Sequence, residues 1–555
     1  MTRPVLVMLA IVLCVLVLLP IGWLVAYAFV GADGKPTLAN FVRLASDPAF
    51  SRPLLTSLRI AISVALLACA VSLPLAWLVA RSDMPMRRTV RALVTASFVT
   101  PPFLGAIAWE ILAAPNSGVL NQWARALLGL KPFDQVLNIY TAEGVTFVIT
   151  LYAMPYAFVL VTNALERIPA ELEQASAILG GSAWRTLRRV TIPLVAPALL
   201  AGGLVAFLQA MTLFGSPAIL ALPAGFHVHT TKIWSLFQYP PAPHLAAAAA
   251  LPLLALTVGL LVLQRRLLGR RGYTVIGDKS GAARTVSLGR WRWAALAYAT
   301  VMVTLPVLLP YGALLKTALV PTVADALSLE TLTFKHVRFV FLEFSQTRHA
   351  LWNTVLLGLL TATLGTLLAL VVAYITGRKL VAGHQVLGFL ATAPVAIPGI
   401  VLGVGLFLAY TRPPVVLYGT LWILLLAFLT IELPAGYQQM RAAFSGLHPE
   451  LEEASRILGA TRLGTLRRIT APLLRTSVVA AWCFIFIGTI RELSAAIMLS
   501  TANTKIISVV IYDLNESGDL GAISVLGLTL LLVTFTVVIL VNRLTGLGRK
   551  VLAAS

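Results

Sequence analysis

Long apolar runs separated by short polar breaks set the pattern of this chain. Runs long enough to cross about 30 Å of hydrocarbon as helix, about 20 residues each, fall at 5–30, 56–80, 92–114, 145–165, 194–220 and 244–264. Six more follow at 293–318, 351–376, 386–410, 416–438, 474–500 and 520–542. The pattern predicts twelve membrane-crossing helices, six and six. Arg3 and the string Ala26-Tyr27-Ala28 give the first run some features of a secretory leader. Its apolar stretch is longer than the leader core of about 7–15 residues, so it reads as an uncleaved span.

The polar breaks carry a second pattern. Glu173–Pro193, EQASAILGGSAWRTLRRVTIP, returns as Glu452–Pro472, EEASRILGATRLGTLRRITAP, 279 positions later, with 12 of 21 positions identical and no gap. Ala76-Trp77-Leu78-Val79-Ala80-Arg81 matches Ala373-Tyr374-Ile375-Thr376-Gly377-Arg378 at an offset of 297, and Pro101 falls on Pro398 at that same offset. The drop between offsets puts an 18-residue surplus in the first half, most simply in the loop 115–143. The expected fold is therefore an all-α membrane protein of two homologous six-helix halves. The boundaries are 1–264, a linker 265–292 rich in Arg, Gly and Ser (Arg265, Arg266, Arg270, Arg271, Gly272, Ser280, Gly281), and 293–555. An even spacer of six spans makes the halves parallel repeats about an axis along the membrane normal, with any pathway between them.

Composition and charge agree. The chain is 59% hydrophobic and 11% charged, where soluble domains average about 25% charged. If the N-terminus is cytoplasmic, the inner segments hold 28 of the 42 Lys and Arg against eight acids, nearly all of the net charge of +21. That is a strong positive-inside bias. Such basicity elsewhere suggests nucleic acid, but here it is divided among short loops beside apolar spans, which fits topology and anionic membrane lipid instead. Cys14, Cys69 and Cys483 lie scattered in spans with no pair spacing.

The repeated segment has a local logic. Glu171 and Glu173, or Glu450 and Glu452, place acids in a helix's first turn, with Pro169 or Pro449 just before. Leu172, Ala175, Ile178 and Leu179 form one apolar stripe, as do Leu451, Ala454, Ile457 and Leu458. Gly180 and Gly459 then stop the helix. A short amphipathic helix of this kind suits a partner's groove.

The pattern Gln174-Ala175-Ser176, three residues, Gly180, nine residues, Val190-Thr191-Ile192-Pro193 resembles the EAA signature of permease subunits of bacterial binding-protein-dependent ABC importers. Glu453-Ala454-Ser455, three residues, Gly459, nine residues, Ile469-Thr470-Ala471-Pro472 resembles it more closely. In that family the segment is the coupling loop gripped by the ATPase. The resemblance assigns this role to 167–193 and 446–472, with Glu173, Gln174, Ala175 and Gly180, and Glu452, Glu453, Ala454 and Gly459, as the coupling residues. Gln174 stands where Glu is usual, implying a weaker polar contact. The fused six-plus-six layout, with Gly488-Thr-Ile-Arg-Glu-Leu-Ser-Ala495 and Leu213-Phe-Gly-Ser-Pro-Ala-Ile-Leu220 as supporting strings, is similar to the ferric-iron permease branch. Thiamine, phosphonate and polyamine relatives share that branch. The resemblance implies a type I importer permease in the bacterial inner membrane, both termini cytoplasmic. It also implies an ABC ATPase dimer inside, a periplasmic substrate-binding protein outside and ferric iron as cargo.

Nucleotide chemistry is expected on another chain. Gly272-x4-Gly277-Asp278-Lys279-Ser280 is spoiled as a phosphate loop by an inserted Asp, and Gly459-x4-Gly464-Thr465-Leu466 lacks the Lys. ATP and Mg thus belong to the partner ATPase, this chain needs no cofactor or metal, and no constellation for enzyme catalysis appears. His227-x-His229 with His244 fits no structural zinc spacing.

Ionisable residues inside spans usually face a pathway or a partner. Glu110 lies late in the third run, Glu432 in the tenth beside a helix-breaking Pro434, and Arg491 and Glu492 in the eleventh. Glu492, Arg491 and Glu432 are the candidate pathway residues, Arg491 and Glu492 pointing about 100° apart on a continuous helix. These acids also suit a rival class, an ion-gradient-driven secondary transporter in which they carry protons.

Overall fold

A computed structural model of the chain describes residues 3–131, 134–269, 285–448 and 450–544. Most of the linker, including Arg270, Arg271, Gly272, Ser280, Gly281 and the phosphate-loop-like string, lies outside the described residues, as does Pro449. Among the described residues nine helices are long and apolar enough to cross a membrane, and counting each of three bent pairs as one span gives up to twelve. The only β pairings there are two isolated bridges, Val30 to Pro36 and Ser82 to Val286.

The spans are Arg3–Ala28, Pro48–Arg81, a bent third, Ala142–Glu166, Ile192–Thr212 and Pro243–Gly269 in the first half. The second half has Gly289–Leu319, Gln346–Gly377, a bent ninth, Leu421–Ser445, Arg475–Arg491 and Leu520–Leu544. The 18-residue surplus lies where expected. Ala113 and Ala142 bracket the long first-half loop, which holds the extra helix Val119–Leu128, whereas only a short turn joins Tyr410 to Leu421.

Two of the runs read as single spans are sharply bent. Arg87–Val99 meets Pro102–Ala113 at 103°, and His384–Ala396 meets Gly399–Tyr410 at 110°. Pro101 and Pro398, aligned in the sequence repeat, sit at these two corners. A proline disfavours helical backbone in the residue before it and donates no hydrogen bond, and Thr100 and Ile397 are accordingly extended. The inward arm of 12 residues spans about 18 Å, too short to cross alone. The fifth and eleventh spans also end sooner than their apolar runs, breaking at Leu213 and Glu492 before short helices Gly215–Leu220 and Ser494–Leu499. Pro434, by contrast, leaves Leu421–Ser445 unbroken.

Within each half the second, fourth and fifth spans, or eighth, tenth and eleventh, pack into a tight trio. Small residues permit the approach: a Cβ on Gly202 would lie 2.7 Å from the Ala157 Cα. The first span of each half leaves its own trio and crosses to the other half. Leu9 and Leu13 pack among Val372, Leu387 and Tyr437, while Ala299 and Val303 pack among Leu75, Val79 and Phe158. Hydrogen bonds follow the same exchange, from Tyr298 Oη to the Val71 carbonyl at 2.9 Å and from Thr430 Oγ1 to the Leu16 carbonyl at 3.2 Å. The sequence halves are thus interlocked in packing.

The basic loops gather at one end of the bundle. Ser82 bridges to Val286, Arg81 reaches Ile168, and Gln264 and Arg441 line one cavity.

Candidate coupling helices and seam cavity

At the basic end the two repeated segments fold alike. The helices Ala170–Ile178 and Glu450–Ile457 each begin with acids that suit the positive end of the helix dipole. Gly180 at φ +75° and Gly459 at φ +87° take the left-handed turn that ends them. The Gly181 N–H then donates to the Ser176 carbonyl at 2.8 Å, and the Ala460 N–H to the Ser455 carbonyl at 3.1 Å, the same helix-ending bond in both copies.

The inward face is polar. Ser176 Oγ lies 2.8 Å from Thr186 Oγ1, and Ser455 Oγ 3.0 Å from Thr465 Oγ1. Glu173 accepts from Thr191 Oγ1 at 3.1 Å and pairs with Arg81 at 3.7 Å. Glu452 accepts from Thr470 Oγ1 at 3.2 Å and pairs with Arg378 at 3.1 Å. Both glutamates are more than nine-tenths buried. Of the sequence-derived coupling residues, Glu173 and Glu452 therefore turn away from the surface. Gln174, Ala175, Glu453 and Ala454 turn outward, and both glycines are exposed.

The apolar stripe also faces outward. Ile178 and Leu179 are 84% and 86% exposed, Ile457 and Leu458 85% and 87%, and Trp184 adds an exposed ring beside the first copy. Four such side chains cost hydrophobic free energy in water unless something covers them.

A cavity of about 890 Å³ opens at the seam between the halves. Its polar wall comes from Gln209 and Thr212 of the fifth span, Gln264 of the sixth, Thr392, and Gln438 and Arg441 of the tenth. No acid lines it. It runs from Gln264 and Arg441, near the basic ends of their spans, inward to Thr212.

The three charged residues expected on a pathway do not line this cavity. Glu432 is buried against the eleventh span, where a Cβ on Gly488 would overlap its carboxylate. It lies within electrostatic reach of Glu492 and Arg491. These two do not share a continuous helix: Arg491 ends one and Glu492 is its extended cap. Arg491 donates to the Phe98 carbonyl of the first half. Glu492 accepts from the Ala495 N–H at 2.8 Å, at the start of the next helix. The cluster is brought together by the fold, but none of its members lines the seam cavity.

The sequence does not single out Arg81 and Arg378 as partners of the short helices, although they close the matched strings at 76–81 and 373–378. Nor does it single out Gln209, Gln264, Gln438 and Arg441. Gln438 and Arg441 share a helix face by their three-residue spacing, the one local sign available. The histidines do not converge: His227 faces Thr231, His229 Nε2 lies 2.8 Å from the Ala249 carbonyl, and His244 stacks on Tyr27. Among the described residues no group of three His, Cys, Asp or Glu stands ready for a metal.

Known proteins resemble the chain along most of its length. It is 27% identical over 81% of its length to the ferric transport system permease protein FbpB of Actinobacillus pleuropneumoniae, and 28% identical over 74% to the putative ferric transport system permease protein FbpB 1 of Haemophilus influenzae. The chain spans 64% of the length of each of these two relatives. A probable ABC transporter permease protein, y4fN, of Sinorhizobium fredii is 25% identical over 83% of the chain and 82% of its own length. The family of binding-protein-dependent transport system inner membrane components matches twice, at residues 72–272 and 365–547, once in each half of the sequence repeat. The chain belongs to that family, the inner membrane components of binding-protein-dependent transport systems, and its apolar helices make it multi-pass.

Proposed function

We propose that this chain carries two permease halves of an ABC importer, fused end to end. The basic end is cytoplasmic, and both termini lie there. One observation carries the reading: two short helices of matching sequence at the basic end are pinned from behind and leave Ile178, Leu179, Ile457 and Leu458 uncovered. An ATPase dimer covers those side chains, one subunit per helix. ATP and Mg are bound and hydrolysed there, since this chain offers no phosphate loop. A periplasmic substrate-binding protein delivers cargo on the opposite face. The halves rock about their seam, giving alternating access by rigid-body motion.

The cargo proposed is ferric iron, supported by the names of two relatives that cover most of the chain. The seam cavity, with its glutamines, threonines and Arg441, is the inner part of the path. Proteoliposomes holding this chain, its ATPase and its binding protein test the reading directly. ATP-dependent uptake of radiolabelled ferric iron that resists a protonophore is the expected result. Uptake by the isolated chain that collapses with the protonophore would instead make it an ion-driven carrier, and uptake of thiamine, a phosphonate or a polyamine in place of iron would change the cargo alone.

A further inference from the structure

Each half ends its second span with an arginine that never reaches the surface of the coupling segment. Arg81 closes the helix Pro48–Arg81 and is fully buried. Its guanidinium donates to the carbonyls of Leu165, at 2.5 Å, and Ile168, at 2.7 Å, where the fourth span ends, and meets Glu173 at 3.7 Å. Arg378 caps Gln346–Gly377 and donates to the Leu447 carbonyl at 3.1 Å and to Glu452 at 3.2 and 3.1 Å. The same two carboxylates accept from Thr191 and Thr470, in the π-helical turns that open the fifth and eleventh spans. One carboxylate and its arginine per half therefore join the short helix to all three spans of its packed trio.

Stability alone is a poor reason for this arrangement. Desolvating an ion pair costs about as much as the pair returns, and apolar residues of similar volume hold a helix as well. What a hydrogen-bonded buried pair adds is direction. At Arg378 the planar fork holds a carbonyl and a carboxylate at fixed angles, and at Arg81 it holds two carbonyls through Nη2 with Glu173 as an ion pair beside it, which neither lysine nor a hydrophobic contact does.

We propose that Arg81 and Arg378 are positioning residues of the transport cycle, struts that make each coupling helix move as one body with the second, fourth and fifth spans of its half. The inference rests on the reading of Ala170–Ile178 and Glu450–Ile457 as coupling helices. A push on the exposed tips is then delivered to the trio and not absorbed by a hinge at 167–170 or 446–450. Arg81 is fully buried and the Arg378 side chain nearly so, which routes their effect on coupling through the position of the helix.

The test uses the full complex of permease, ATPase and binding protein in proteoliposomes, with R81Q, R378Q and the milder E173Q and E452Q, which keep the threonine bond. Three quantities are read per assembled complex: ATP hydrolysis, uptake of radiolabelled ferric iron, and the ATP-driven change in distance between spin labels on the exposed outer-loop residues Leu127 and Leu329. In the variants hydrolysis is expected to stay within about twofold while uptake falls about tenfold or more and the label movement shrinks. R81K and R378K are expected to recover part of the loss, having charge without the fork. Uptake per ATP and label movement equal to the unsubstituted complex would overturn the proposal. So would variants that lower only the yield of assembled complex. Failure of the underlying reading looks different: the unsubstituted chain itself would bind no ATPase or show no ATP-driven movement.

Discussion

Glu110 of the first half and Asn515 of the second, 405 positions apart, share a hydrogen bond of 3.0 Å. The other carboxylate oxygen of Glu110 accepts from Tyr140 Oη at 2.8 Å, so donors from both halves hold one acid. Glu110→Ala strands two donors at the seam and is expected to destabilise the protein by about 1–3 kcal/mol. Glu110→Gln keeps one acceptor and should lose less. Thermal unfolding in detergent measures both, and an unchanged midpoint for Glu110→Ala would remove this contact from the seam's stability.

The exposed tips should matter to a partner and not to the fold. Ile178→Asp and Ile457→Asp, at positions 84% and 85% exposed, are expected to weaken ATPase co-purification about tenfold or more each. The unfolding temperature of the permease alone should not move. Full retention of the ATPase by the double variant would mean that these side chains meet no partner.

Gly459 tests the backbone alone, because a Cβ there meets nothing within 4 Å while φ is +87°. Gly459→Ala is expected to cost about 1 kcal/mol or more, Gly459→Asn less and Gly459→Val most, following the cost of left-handed backbone for each. Hydrogen exchange of 450–460 reports the order, and equal protection in all three would show that the turn is not held.

Gly488 tests packing instead. A Cβ at this position overlaps the Glu432 carboxylate, so Gly488→Ala is expected to destabilise by about 1–3 kcal/mol. Glu432→Ala in the same chain should relieve most of that cost. A double-mutant cycle with no coupling between the two sites would place Glu432 away from the eleventh span.

Asp83 anchors the far end of the linker, accepting from the Leu288 N–H at 2.8 Å and Ser287 Oγ at 3.1 Å. The Leu288 bond, with help from Ser287, holds its carboxyl below the usual carboxylate range. A carboxyl lowered in the folded state stabilises above its unfolded pKa and loses that contribution as pH falls through the folded value. Protease protection of 285–291 should therefore be constant through neutral and mildly acidic pH and fade only below about pH 4. Asp83→Asn should lower the protection and flatten its pH dependence.

Much of this molecule is legible residue by residue. Hydropathy alone locates up to twelve crossings, the repeat at 173–193 and 452–472 locates the two matched short helices, and Gly180 and Gly459 mark their ends. The corners at Pro101 and Pro398 were visible as aligned prolines but not as right-angle bends, because a hydropathy window does not register direction. Glu432, Arg491 and Glu492 were legible as costly charges, but not as a cluster apart from the cavity.

What the sequence determines by itself is local: length and apolarity set the spans, φ-permissive glycine sets the helix ends, and duplication sets two of everything. The tertiary structure alone decides which face of a short helix is inside. It turns Glu173 and Glu452 toward Arg81 and Arg378 and leaves the apolar stripe bare, the reverse of the usual amphipathic rule. It also sends each first span across to the opposite half. Both outcomes depend on partners about 70 to 400 residues away, and a one-dimensional pattern holds the period of a helix but not the identity of the surface packed against it.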